Sequence, residues 1–220
     1  MVVNASLLLN RDFPEKQKHR LIINASYFKR RFNVYRGFNM DLLKKCAEIY
    51  SGYVDCNYTF YLDCDLSVKV EFRDFYFHHL VGLQYLTDIV QVKKELPNNS
   101  ASAIYKKILK GKITHDFIRK SVFYYKIDER ISHFIDLGEV ISSEFIVDFD
   151  YTKVPKTDLM SKYLLYKKYE NGYSILGLKY NDKRDVYIPE TFIFEHTDYY
   201  VKNQISYKVT DIKIECCKNK

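Results

Sequence analysis

At about Ile141 the hydrophobic period of this chain changes from roughly 3.6 residues to 2, and that change decides its fold class. Upstream, apolar residues at 42, 43, 46, 49 and 50 predict a helix that Asn39 or Asp41 can cap and Gly52 can end. Ser100 or Ser102 caps a second helix through Leu109, closed by Gly111, and Thr114 caps a third over 116–121. A further helix over 125–137 places Ile127, Ile131, Phe134 and Ile135 on one face and stops at Gly138. Downstream, 145–149, 159–169, 174–180, 186–194 and 206–215 read as strands, with Asn171-Gly172 a strong hairpin signal. An earlier pair of strands, 57–62 and 66–72, turns at 63–65. The expected architecture is α+β: a helical N-terminal half packed on a C-terminal antiparallel meander sheet, as one domain over 39–220.

Residues 1–38 read as a basic N-terminal extension. Basic residues at 11, 16, 18, 20, 29, 30, 31 and 36 face only Asp12 and Glu15, interleaved with Phe13, Tyr27, Phe28, Phe32 and Tyr35. Cations mixed with rings suit single-stranded nucleic acid, where phosphate neutralisation and base stacking act together; a solvated basic face is the competing reading. A net charge of +7 likewise favours an anionic partner. Lys29, Arg30, Arg31, Lys106, Lys107 and Lys202 are the candidate nucleic-acid contacts. Cysteines 46, 56, 64, 216 and 217 form no C-x-x-C pair, which suggests reduced thiols and a cytoplasmic protein. No segment reaches 18 uninterrupted apolar residues, so no membrane span is expected.

The stretch 72–89 has the sharpest functional claim. It starts as the end of a strand and continues as a predicted amphipathic helix carrying His78 and His79 in its first turn. Adjacent helical positions lie about 100° apart, so the two rings cannot share a face. His79 falls on the stripe of Phe75, Leu83 and Leu86 and is expected to be the one held among packed neighbours.

Several chemistries are excluded by pattern. The chain has no G-x-x-x-x-G-K-[ST], G-x-G-x-x-G, H-E-x-x-H or G-x-S-x-G, and its histidines show no tight metal spacing, so neither a metal nor a cofactor is expected. One reaction needs little beyond what remains. RNA carries its own nucleophile in the 2′-hydroxyl, so a protein must supply only a base, an acid and cations for the charged transition state. Histidine, with a reference pKa of about 6.5, serves either proton-transfer role near neutrality.

The run Phe75-x-Phe77-x-His79-Leu80-x-Gly82-Leu83-x-x-Leu86-x-Asp88-Ile89 resembles the F-x-H-L-x-G-L-x-x-L-x-D-I signature of a nuclease-like family. It is the fourth phage-associated branch of the barnase/EndoU/colicin E5–D/RelE-like superfamily. The likeness continues through 104–113, Glu129-Arg130-Ile131 and Asp198-Tyr199-Tyr200, over roughly 40–214. It implies helices packed on a four-stranded antiparallel sheet and metal-independent RNA cleavage, in proteins of mobile elements or toxins. On this sequence it implies His79 as acid/base, with His78 an ambiguous neighbour, and Arg130 as phosphate clamp. A polar residue of the late strands, Thr197, Tyr200 or Lys202, would complete the site.

RNA is the expected partner, and a toxin-like role would add an antitoxin or immunity protein. The competing function is a non-catalytic nucleic-acid- or protein-binding module of the same fold. For Arg130, the competing reading is an ion pair with Asp128 or Glu129.

Overall fold

The computed structural model describes residues 41–97 and 99–216. The basic extension, with Lys29, Arg30 and Arg31, lies outside them. Helix α1 (Leu42–Ser51) begins where Asp41 Oδ1 accepts from the Lys44 amide at 2.8 Å. The other oxygen of the same carboxylate accepts from the His115 amide, at the start of a helix 74 residues downstream. One anion thus satisfies the orphan N–H groups of two helix N-termini. The remaining helices are α2 (Phe77–Leu80), α3 (Ala101–Leu109), α4 (His115–Ile118), α5 (Asp128–His133) and α6 (Leu137–Ile141). Ser100 and Thr114 cap α3 and α4 as expected.

With no tryptophan, the helical core is built on phenylalanine and tyrosine. Tyr50 is fully buried; its ring lies 5.5–6.3 Å from those of Phe72, Phe77, Tyr105 and Phe134. Its hydroxyl donates to Arg73 O at 2.8 Å, so the buried polar atom is partnered. Phe134 then meets Phe192 at 5.1 Å and ties the helices to the strands.

The strands are β1 (Cys56–Leu62), β2 (Ser67–Glu71), β3 (Phe145–Asp148), β4 (Tyr163–Tyr169), β5 (Gly172–Asn181), β6 (Val186–Glu195) and β7 (Ile205–Cys216). The alternation in the sequence located all seven; their arrangement differs from the expectation. They form a closed barrel in the order β1-β2-β6-β5-β4-β3-β7, not a helical half laid on a meander sheet. The N-terminal hairpin inserts between the ends of the C-terminal strands: β1 pairs antiparallel with β7, and β2 meets β6 in parallel through Val70 and Tyr187. A lone hairpin and an open sheet would each expose unpaired edges, and closure removes both. Helices α2 and α5 pack on β6, and α6 packs on β4 and β5.

Other expectations are corrected. The continuous helix over 72–89 is a 3₁₀ turn at 74–76, the four residues of α2, and a second 3₁₀ turn at 83–85. Gly82, in the left-handed region at φ 79°, separates the last two. The helix over 125–137 is likewise broken into a 3₁₀ turn at 124–126, α5, a 3₁₀ turn at 134–136 and α6, and Gly138 lies inside α6 instead of ending a helix. Cysteine usage is corrected as well. Cys56 and Cys216 face one another across the β1–β7 ladder, with Cα atoms 4.0 Å apart, and form a disulfide. That removes one of two grounds for the cytoplasmic expectation. The other stands in this form: no helix among the described residues is long and apolar enough to cross a membrane.

Candidate functional site

The two histidines are sorted by the short α2, and in the opposite sense to the periodicity argument. His78 is the buried one, 2% exposed, and its Nε2–H donates to Val92 O at 2.7 Å. Burial lowers its pKa, and the bond occupies the ring as a structural donor. His79 is exposed. The helical stripe fails because Phe75 lies in a 3₁₀ turn, where about three residues complete a turn, so it leaves the α-helical phase and is itself exposed.

Arg130, from α5, joins His79. Its Nη1 donates to His79 O and to Thr191 Oγ1, each at 3.4 Å, and its guanidinium carbon sits 5.5 Å from the Tyr85 ring centroid. The ion pairs anticipated in the sequence do not form: Asp128 accepts from the Tyr124 hydroxyl, and Glu129 pairs with His196 at 2.9 Å. No carboxylate among the described residues lies within ion-pair distance of Arg130, and desolvation lowers its pKa. A guanidinium stays charged in proteins, and an unpaired charge withdrawn from water favours any anion that reaches it.

Gly82 sets this distance. A Cβ there would come within 2.7 Å of Ile127 Cγ2 and 3.2 Å of Arg130 Cδ. The left-handed backbone adds about 1–2 kcal/mol for any other residue. Gly82→Ala is therefore expected to destabilise the fold by about 2–4 kcal/mol, combining that strain with overpacking. A urea midpoint equal to wild type would contradict the close approach of α5.

Opposite the helices, β6 contributes Glu190 through an irregularity. Leu178 pairs with Pro189 and Gly177 with Thr191, so Glu190 is an extra residue in β6 with no partner in the ladder. Proline cannot donate to the ladder, and a bulge re-aims the side chain beside it. The Ser161 hydroxyl donates to Glu190 Oε2 at 2.7 Å, and Lys179 Nζ lies 3.7 Å from Oε1. A Cβ on Gly177 would collide with Ser161 Oγ, so that glycine makes room for the Ser161–Glu190 contact.

These neighbours set the state of His79. Desolvation lowers its pKa first, then the charges of Arg130 and Lys94, while Glu190 opposes them. The net direction is downward, so the exposed imidazole is neutral at pH 7 and can accept a proton. Side by side stand a neutral base, an unpaired cation, a hydroxyl and a bulged carboxylate.

Of the other candidates, Thr197 donates to Glu195 Oε1 in the turn after β6, and Tyr200 packs 6.2 Å from Phe149 over the Val147–Ile175 cluster. Both have their contacts away from His79 and Arg130. Lys106 is exposed on α3, Lys202 is exposed beyond β6, and Lys107 donates to Asn99 Oδ1 at 2.7 Å. Glu190, Thr191, Tyr85 and Ser161 escaped the sequence reading. The one available signal was Pro189 inside an otherwise clean strand, which marks a bulge and thus Glu190. Among the described residues no group of three or more His, Cys, Asp or Glu is placed to hold a metal ion.

Comparison with known families gives a match over residues 42–216 to the family described as phage-Barnase-EndoU-ColicinE5/D-RelE like nuclease4. No curated protein and no solved structure matches the chain.

Proposed function

The chain belongs to that phage-associated nuclease-like family, and on this premise we propose that it is an endoribonuclease acting at the His79–Arg130 site without a metal ion. The observation that carries the reading is the pairing of a desolvated, carboxylate-free Arg130 with an exposed His79 of lowered pKa. A phosphodiester supplies the anion that Arg130 lacks. The imidazole takes the proton of the ribose 2′-hydroxyl; the 2′-oxygen–phosphorus bond forms as the phosphorus–5′-oxygen bond breaks. The 5′-oxygen departs with a proton from the Tyr85 hydroxyl or from solvent, and Glu190 stabilises the imidazolium. The guanidinium fork holds the phosphoryl oxygens where negative charge accumulates.

The products are a 2′,3′-cyclic phosphate and a free 5′-hydroxyl. Incubation of single-stranded RNA with the full chain in excess EDTA tests this: cleavage with cyclic-phosphate ends is expected. Cleavage that EDTA abolishes, or that leaves 5′-phosphates, overturns it. A toxin-like role with a neutralising partner belongs to the same reading, supported by the family, and the net charge of +7 suits an RNA substrate. In that setting, expression from a tight promoter arrests growth, and His79→Ala relieves the arrest.

A further inference from the structure

The seam between α5 and β6 carries a second feature that the cleavage chemistry leaves unused. The His133 ring lies parallel on Phe194, with centroids 3.6 Å apart and planes 4° from coincidence. His196 abuts Phe194 edge-on at 5.1 Å and is held by Glu129 at 2.9 Å and by Asn171 O at 3.2 Å. On the other side, Asp136 Oδ2 lies 3.4 Å from His133 Nδ1. The parallel pair is thus held by Asp136 at the His133 ring and buttressed at Phe194 by His196, which Glu129 anchors, and the His133 side chain keeps 26% of its area open.

Its position follows from the two elements that carry it. His133 is three residues beyond Arg130 on α5, a rise of about 4.5 Å. Phe194 shares a face of β6 with Phe192, which meets Phe134 just beyond α5, so that face is turned to the helix. Residues i and i+3 share a helix face, so the ring pair lies one turn of α5, ~5 Å, from the stem of the Arg130 clamp. That is the span of one nucleotide, with its phosphate at Arg130 and its base on the rings.

We infer that His133 and Phe194 form a nucleobase platform for the nucleotide adjoining the phosphate at Arg130. The inference rests on the proposed reading of Arg130 as phosphate clamp. Aromatic stacking holds any base by its π face. The flanking carboxylates Glu129 and Asp136 are acceptors, so they favour bases that present amino donors, as cytosine N4 and adenine N6 do. The platform therefore takes single-stranded RNA, and it positions substrate without touching the reacting atoms.

Anisotropy with uncleavable 2′-O-methyl tetranucleotides tests the platform on the full chain. One abasic substitution, moved through the four positions, is expected to weaken wild-type binding about tenfold at one position and little elsewhere, as for the loss of one stacked base. His133→Ala should erase that difference while keeping salt-sensitive binding, and His133→Phe, which keeps a ring, should restore it. Arg130→Ala should weaken every oligonucleotide alike. The platform is overturned if wild type is indifferent to abasic sites at all positions, or if His133→Ala keeps the preference; in either case an intact effect of Arg130→Ala leaves the clamp standing. Failure of wild type to bind any oligonucleotide, or indifference to Arg130→Ala, overturns the clamp and the platform with it.

Discussion

Replacing His79 by alanine is expected to lower RNA cleavage by about 10²–10⁴-fold, the range one positioned proton-transfer group contributes. The fold should be indifferent to the change, because His79 is exposed and its backbone oxygen, not its ring, meets Arg130. The pH profile separates a base from a bystander. The His79 pKa is lowered from its usual 6.5, by desolvation foremost and then by Arg130. The active neutral form thus accumulates as pH rises through a value below 6.5, so kcat/KM should climb on that limb and be flat by pH 7. In His79→Ala the limb should vanish along with the rate. A companion change, Arg130→Ala, should cost about 10²–10³-fold as a lost transition-state cation. Arg130→Lys should recover only part of this, because an ammonium cannot span two phosphoryl oxygens as a fork. His79→Ala with wild-type cleavage and an unchanged acid limb would remove the imidazole from the mechanism. His78→Ala serves as contrast: that ring is buried on Val92 O, so its loss should lower the thermal midpoint.

The histidine pair also shows where the sequence was legible. The motif pointed to His79, and the structure places that residue with Arg130, though it lies 51 positions away. One continuous helical phase over 72–89 would bury His79 and expose His78, the reverse of what the structure shows. Two 3₁₀ turns and the left-handed Gly82 reset that phase within about ten residues. Local signals transferred well. Asp41, Ser100 and Thr114 cap the helices, and the alternation of Val68 and Val70 or of Tyr58 and Phe60 buries what it should. Properties that depend on distant partners did not transfer. Period-2 alternation states that a segment is a strand but not which strand it joins. Neither the parallel contact of β2 with β6 nor the closure through β1 and β7 was therefore visible. Glu190 falls between the two cases: Pro189 announced a bulge locally, but its approach to His79 depends on how α2 packs on β6.

The other large effect concerns the closure itself. Reducing the Cys56–Cys216 disulfide, or changing Cys56 to serine, is expected to lower stability by about 3–5 kcal/mol. The bond joins the first residue of β1 to the last of β7, 160 residues apart, so reduction frees a very long loop in the unfolded chain. Loop-closure entropy for that length is about 5 kcal/mol as an upper figure. The native ladder between β1 and β7, from Asn57 with Glu215 to Tyr61 with Asp211, does not depend on the bond, so reduction acts through the unfolded chain. For a domain of this size, each kcal/mol moves the thermal midpoint by about 2–4 °C, so a fall of about 6–20 °C is expected. Thermal melts with and without reductant measure it. Cys64→Ser is the control, because that thiol is exposed and free, and its loss should leave the midpoint unchanged. Cys46 must not substitute for it: its thiol is buried, bonded to Ile131 O, and pushed upward in pKa by burial. A melt insensitive to reductant would mean that the β1–β7 ladder closes the barrel unaided. The site would be expected to survive reduction better than the fold, because His79, Arg130 and Glu190 are fixed by α2, α5 and β6, and both cysteines lie on β1 and β7.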